Sequence, residues 1–194
     1  LDQSLDGDPT ELTLHLPEQK PAADIPVVAL ELAGPPNVDQ RLIAQHQDRI
    51  TLPAYRAEVH ANGADAVTTP HLNRARILVN WRNTRPSVAW DLYIAAPGTY
   101  EVSVTTSSLR RAKPWRGGHR IRIETAGNVI ETVLTKAEDG NQAKDRYHAQ
   151  ARSHCGLIHF DRAGPVKLGL KAVSIDGSSG IGLALVSAEL RAQS

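Results

Sequence analysis

Between Val88 and Val104 the residues alternate in a way that few folds can accommodate. Val88, Trp90, Leu92 and Ile94 share one side of a first run, and Ala89, Asp91 and Tyr93 the other. Tyr100, Val102 and Val104 share one side of a second run, and Glu101, Ser103 and Thr105 the other. A period of two marks strands with one buried face. Ala96-Pro97-Gly98-Thr99 separates the runs: Pro fixes φ and removes a donor, and Gly permits a sharp reversal. The stretch therefore predicts two adjacent antiparallel strands joined by a Pro-Gly turn, with the chain after position 45 added to them as further strands.

Ile50–Pro53, Ala57–His60, Ile77–Trp81, Arg120–Thr125, Val129–Leu134, Leu157–Phe160, Val166–Val173 and Ile181–Leu190 supply those strands. Asn62-Gly63, Gly127-Asn128 and Ala163-Gly164-Pro165 serve as turns. Residues 137–151 are polar and without a clear period, and read as a long loop. Many short strands with Gly/Pro turns and few helix signals specify an all-β fold, an antiparallel β-sandwich of jelly-roll type. Trp90 belongs to its core, with Leu92, Ile94, Val102, Val104, Ile121, Ile123, Leu168 and Leu170.

The first 40 residues read as a separate N-terminal β arm, and residues 41–194 as the sandwich. Residues 1–10 are polar and loop-like. Leu12, Leu14 and Leu16 alternate, and Val27–Leu32 is their expected partner strand. Two strands cannot hold themselves together in water, so the arm must dock on the body, on a missing domain or on a second chain. Charge supports the division. Residues 1–40 carry eight acids and one base, Lys20, whereas the whole chain has a net charge of +1. No apolar run approaches the roughly 18 residues of a membrane helix. The single cysteine, Cys155, excludes an internal disulfide framework. A chain that opens at Leu1 is expected to be a processed product or a segment of something longer.

The central pattern N-x-R-x-x-x-x-x-V-x-W-D-L-x-I-x-x-P-G-x-Y-E-V-x-V, from Asn80 to Val104, follows a strand bearing Ala57-Glu58-Val59-His60. Together they resemble the non-catalytic β-sandwich at the C-terminus of bacterial α-L-fucosidases, which is similar to carbohydrate-binding modules. Pro26 to Pro36 resembles the last strand of the small β-domain that follows the fucosidase barrel. Residues 1–40 would then be a remnant of that domain. The resemblance implies a secreted or periplasmic accessory domain without catalytic residues of its own. Its partners would be a fucosylated or an acidic or sulfated glycan, and the parent's catalytic domain or a second copy. Some such modules hold a structural Ca²⁺ between an early Glu and a late Asp. Glu58 suits the first position, but Glu189 stands where an Asp is expected. No other cofactor is implied.

Trp115 is the strongest candidate for a ligand contact. Arg110 to His119 lacks alternation and carries Pro114 and the pair Gly117-Gly118, so it reads as a loop. An indole there either anchors the loop or packs on the C–H face of a sugar, with Arg116 and His119 reaching the hydroxyls. Tyr147 and His148 would join from the other long loop, because loops at one end of a sandwich converge. Trp81, with Arg82 beside it, is the next candidate, its alternative being a place in the core. Arg110 to Arg122 holds six bases and no acid. That run suits a solvated strand face or a patch for an anionic polysaccharide. It lacks the interleaved aromatics of a nucleic-acid platform. His148, His154, Asp145 and Cys155 match no recurring zinc spacing, and no nucleophile elbow accompanies the scattered Ser, His and Asp residues.

Overall fold

The computed structural model describes residues 3–4, 13–14, 41–63, 76–108, 115, 117–125, 127–139, 149–177 and 182–193. The chain divides into two compact units, Leu1–Val38 and Asp39–Ser194. In the first, β1 (Gln3–Ser4) pairs antiparallel with β2 (Thr13–Leu14), Gln3 opposite Leu14 and Ser4 opposite Thr13. Part of the segment expected to be loop is thus strand. Val27–Leu32, the expected partner, lies outside the described residues.

The second unit is a sandwich of two sheets, antiparallel but for the short parallel pairing of its first strand, Ile43–Ala44, with Leu92–Tyr93. Its strands are β3 (Ile43–Ala44), β4 (Arg49–Pro53), β5 (Glu58–His60), β6 (Leu78–Trp81), β7 (Ser87–Ile94), β8 (Gly98–Ser108) and β9 (Arg120–Thr125). They continue with β10 (Asn128–Val133), β11 (Glu138–Asp139), β12 (Ala149–Phe160), β13 (Gly164–Ser174) and β14 (Leu183–Ala192). A 3-10 turn, Ala54–Arg56, links β4 to β5. The first sheet runs β10-β9-β13-β7, with β5 and β3 sharing the far edge of β7. The second runs β11-β12-β8-β14, with β6 and β4 sharing the far edge of β14.

The alternating residues behave as their period requires. Trp90, Leu92, Ile94, Val102, Val104, Ile121, Ile123, Leu168 and Leu170 are all buried, in one apolar cluster. The expected pairing of the central strands is overturned, however. β7 lies in the first sheet and β8 in the second, so the Ala95–Pro97 link forms an arch over the end of the core. Each run has one apolar face, and such faces are satisfied as well by opposing one another across a core as by lying side by side. Gln45 braces the arch. Its Oε1 accepts from the Ala95 N–H at 3.2 Å and from the Tyr100 hydroxyl at 2.9 Å, and that hydroxyl also lies 2.8 Å from the Ala96 carbonyl oxygen.

Residues 137–151, expected to be loop, contain β11 and the start of β12. Ala151, Ser153 and Cys155 point inward, while Gln150, Arg152 and His154 point outward. His154 and Cys155 therefore face opposite sides of one strand and cannot share a metal.

Candidate functional site

The strand ends at Ser108, Ala149, Arg120, Val133, Ser174 and Leu183 all fall at one end of the sandwich, as the registers require. The connection from β8 to β9 crosses this end from the second sheet to the first. Trp115 is on that crossing. Its indole N–H donates to the hydroxyl of Thr106, 2.9 Å away, on an inward-facing side chain that is itself buried. The ring edge rests on Gly117. A Cβ at that glycine would stand 2.6 Å from Trp115 Cη2 and 2.2 Å from the Leu134 carbonyl oxygen. Both contacts fix the ring, which stays half-buried. Trp115 thus acts as a loop anchor and still presents part of its surface at the mouth between the sheets.

His119 is placed differently from the expectation. It is 4% exposed, so it is not available to a ligand at the surface. Its Nδ1 accepts the N–H of Asp176 at 3.1 Å, and its carbonyl accepts the N–H of Leu134 at 2.8 Å. Burial holds the imidazole below its ordinary pKa, with Asp176 pulling the other way. The neutral ring is the form that fits. Trp81 is also removed from solvent, at 0% exposed, in the main apolar cluster, where a large ring helps fill the core. Arg82, the next residue, is exposed at the same end. Arg116, Tyr147 and His148 lie outside the described residues.

Glu58 and Glu189 do not converge on a cation. Glu58 is on β5 at the outer face of the first sheet, where Lys167 Nζ stands 3.2 Å away and holds its carboxyl below the ordinary range. Glu189 is on β14 at the outer face of the second sheet, bound by the Arg152 guanidinium. The donors expected for calcium are separate, and each already faces a positive charge. The basic face is likewise paired where it is described: Arg120 meets Glu131 at 2.7 Å, and Arg122 meets Glu124.

One charged constellation had no counterpart in the sequence reading. On the outer face of the second sheet, Arg152 Nε donates to Ser103 Oγ at 2.9 Å, while its Nη atoms reach Glu189 and, at 3.6 Å, Glu138. Beside it His154 Nδ1 lies 2.7 Å from Glu101. Farther along, Asp48, Glu101, Arg191, Ala192 and Gln193 line an open groove of about 490 Å³ at the end opposite Trp115. Its charges serve one another, with Arg191 Nε 3.0 Å from Asp48. The signal for this face was the alternation of Arg152 and His154 with small inward residues.

No family model matches the sequence, and no curated protein matches it. Among solved structures, the α-L-fucosidase of Vibrio sp. strain EJY3 is similar over 79% of this chain, with a TM-score of 0.57 and 15% identity. The chain spans 24% of that protein's length. A family 35 carbohydrate-binding module from Clostridium thermocellum is similar over 75% of this chain and 98% of its own length, with a TM-score of 0.47 and 12% identity. A Podospora anserina GH26-CBM35 β-(1,4)-mannanase is similar over 77% of this chain and 28% of its own, with a TM-score of 0.48 and 12% identity. At these identities the likeness is one of fold alone, a two-sheet β-sandwich.

Proposed function

We propose that this chain is a non-catalytic, carbohydrate-binding accessory domain of an α-L-fucosidase-like glycoside hydrolase, working in a secreted or periplasmic setting. The observation that carries the reading is Trp115, an indole fixed in orientation by Thr106 and Gly117 yet only half-buried at the loop end of the sandwich. A ring already held in place loses little freedom when a sugar packs on it, which is how preorganisation favours weak binding. Arg82 stands at the same end to meet hydroxyl or acidic groups, and Arg116, Tyr147 and His148 are proposed as its companions. The ligand class is a fucosylated or an acidic or sulfated glycan.

Affinity electrophoresis on fucosylated and sulfated polysaccharides tests the reading. Wild type is expected to be retarded, and Trp115→Ala to migrate freely with its fold intact. Equal retardation of the two would move the site elsewhere. Turnover of nitrophenyl-fucoside by this chain alone would contradict the non-catalytic assignment.

A second reading, a domain that packs on a catalytic domain or a second copy, rests on a different observation. β10 is an edge strand of the first sheet, with Val129 55% and Val133 45% exposed. Edge strands left this apolar invite a partner. Concentration-dependent dimerisation in sedimentation, without glycan retardation, would favour it.

A further inference from the structure

We infer that His119 and Asp176 form a proton-operated latch that holds the Trp115 end of the sandwich in its ordered arrangement and releases it on acidification. For the consequence on sugar binding, this rests on the function proposed above. The latch itself does not.

Because the bond runs from the Asp176 N–H to His119 Nδ1, the ring must be neutral, with Nδ1 unprotonated. A proton added at Nδ1 turns the acceptor into a donor facing a donor, and the bond cannot survive. The His119 backbone cannot give way easily, because the Leu134 N–H donates to its carbonyl and the Gly118 N–H donates to the Leu134 carbonyl at 3.0 Å. The bond that protonation breaks is thus the one to Asp176, on the connection that follows β13.

The charged ring has an obvious new partner in the Asp176 carboxylate. Among the described residues Asp176 is the charged group acting on this imidazole, while the end of β10 contributes the uncharged Leu134. With the ring neutral, that carboxylate lies over Gly118: an added Cβ there would be 2.8 Å from Oδ2. Drawing it toward Nδ1–H removes the cover from Gly118. The adjoining Gly117 is the residue against which the Trp115 ring is set. The proton is thereby read out as a loosening of the indole.

Burial supplies the bias that makes the ring stay neutral until the medium is acidic. Each pH unit by which the ordered state resists protonation weights the latch equilibrium about tenfold. Acidification should therefore lower the affinity for a glycan, by a factor set by how far burial holds the ring neutral.

The test is tryptophan emission between pH 7 and pH 4, with Trp115→Phe as the subtraction that isolates Trp115, together with amide hydrogen exchange at Asp176. Wild type is expected to show one transition on the acid side of 6.5, with Asp176 exchange accelerating through it. His119→Asn keeps an acceptor near the Nδ1 position and cannot take the proton, so its transition should vanish. An unchanged transition in His119→Asn, or an Asp176 amide equally protected at both extremes, would overturn the latch. Should His119→Asn fail to fold, Asp176→Asn serves. It keeps the N–H and removes the carboxylate, so the transition should move to lower pH, and an unmoved midpoint would also overturn the proposal. A sulfated fucan is the binding probe: an emission transition with no binding at any pH sinks the carbohydrate reading while the latch stands.

Discussion

The indole N–H of Trp90, on β7 of the first sheet, donates to the carbonyl oxygen of Pro53, the last residue of β4 in the second sheet, at 2.9 Å. This bond crosses the apolar core, where an unpaired indole or carbonyl would carry the cost of its lost hydration. It also fixes where the chain leaves one sheet for the other.

Trp90→Ala should therefore cost about 3 to 5 kcal/mol, from lost burial and the remaining cavity. Trp90→Phe keeps most of the ring but leaves the Pro53 carbonyl without its donor, and should cost about 1 to 3 kcal/mol. Urea denaturation of the two variants gives the order. A phenylalanine variant as stable as wild type would show that the bond contributes nothing.

Gly117 is expected to tolerate no side chain. With 2.2 Å to the Leu134 carbonyl oxygen and 2.6 Å to the Trp115 ring, a methyl group must displace backbone or indole. Overpacking of this kind costs about 1 to 3 kcal/mol. Gly117→Ala should also shift the emission of Trp115, because the Thr106 bond cannot hold while the ring moves. Gly63→Ala, at a turn where an added Cβ meets nothing within 4 Å, is the control. It should lower stability through its φ of +75° alone, and leave Trp115 emission unchanged.

The core could be read from the sequence because alternation is a local property. Each of Trp90, Leu92, Val102, Ile121 and Leu168 reports its own side of its own strand. Pairing is not local. β7 chooses β13, and β8 chooses β12 and β14, from segments that lie far along the chain, so the Pro-Gly break reads equally as hairpin or arch. β9 and β10 do form the hairpin expected at Gly127, with Asn128 opposite Thr125. The site was less legible. Trp115 stood out as an aromatic in a run without period, but its partner Thr106 is a neutral residue on a strand with no local mark. His119 drew attention for its hydrogen-bonding capacity, and only the fold shows that Asp176, 57 residues later, consumes it. Arg152 fell in a stretch whose inward residues are Ala, Ser and Cys, too weakly apolar to announce a strand.

Arg152 should matter more than the other cations of the sheet faces. Its side chain is 27% exposed and that of Glu189 is 17% exposed, and one guanidinium serves Ser103, Glu138 and Glu189 across four strands. Arg152→Ala leaves Glu189 without its cation and should cost about 1 to 3 kcal/mol. Arg120 is 54% exposed, and its pair with Glu131 is worth about 1 kcal/mol or less. A double-mutant cycle on Arg152 and Glu189 should return a coupling larger than one on Arg120 and Glu131. Equal couplings would mean that the ladder is only a surface feature.

Cys155 offers a prediction with its sign fixed in advance. The thiol is buried in the core, its S–H is directed at the Ser153 carbonyl oxygen 3.6 Å away, and burial pushes its pKa from 9.0 up to about 12. A buried thiol that stays protonated is a poor nucleophile, so the native protein should resist a disulfide reagent at pH 8 and react once denatured. The unfolded chain ionises near 9 and the folded one resists until about 12. Between those limits the unfolded state holds fewer protons, and stability must fall as pH rises. The loss has an upper limit of about 1.4 kcal/mol per pH unit. Cys155→Ala removes this contribution and gives up a modest contact in exchange. Its stability curve should therefore converge on that of wild type, or cross it, between pH 9 and pH 11. Parallel curves over that range, or a native thiol that reacts at the rate of a free cysteine, would show that the side chain reaches solvent.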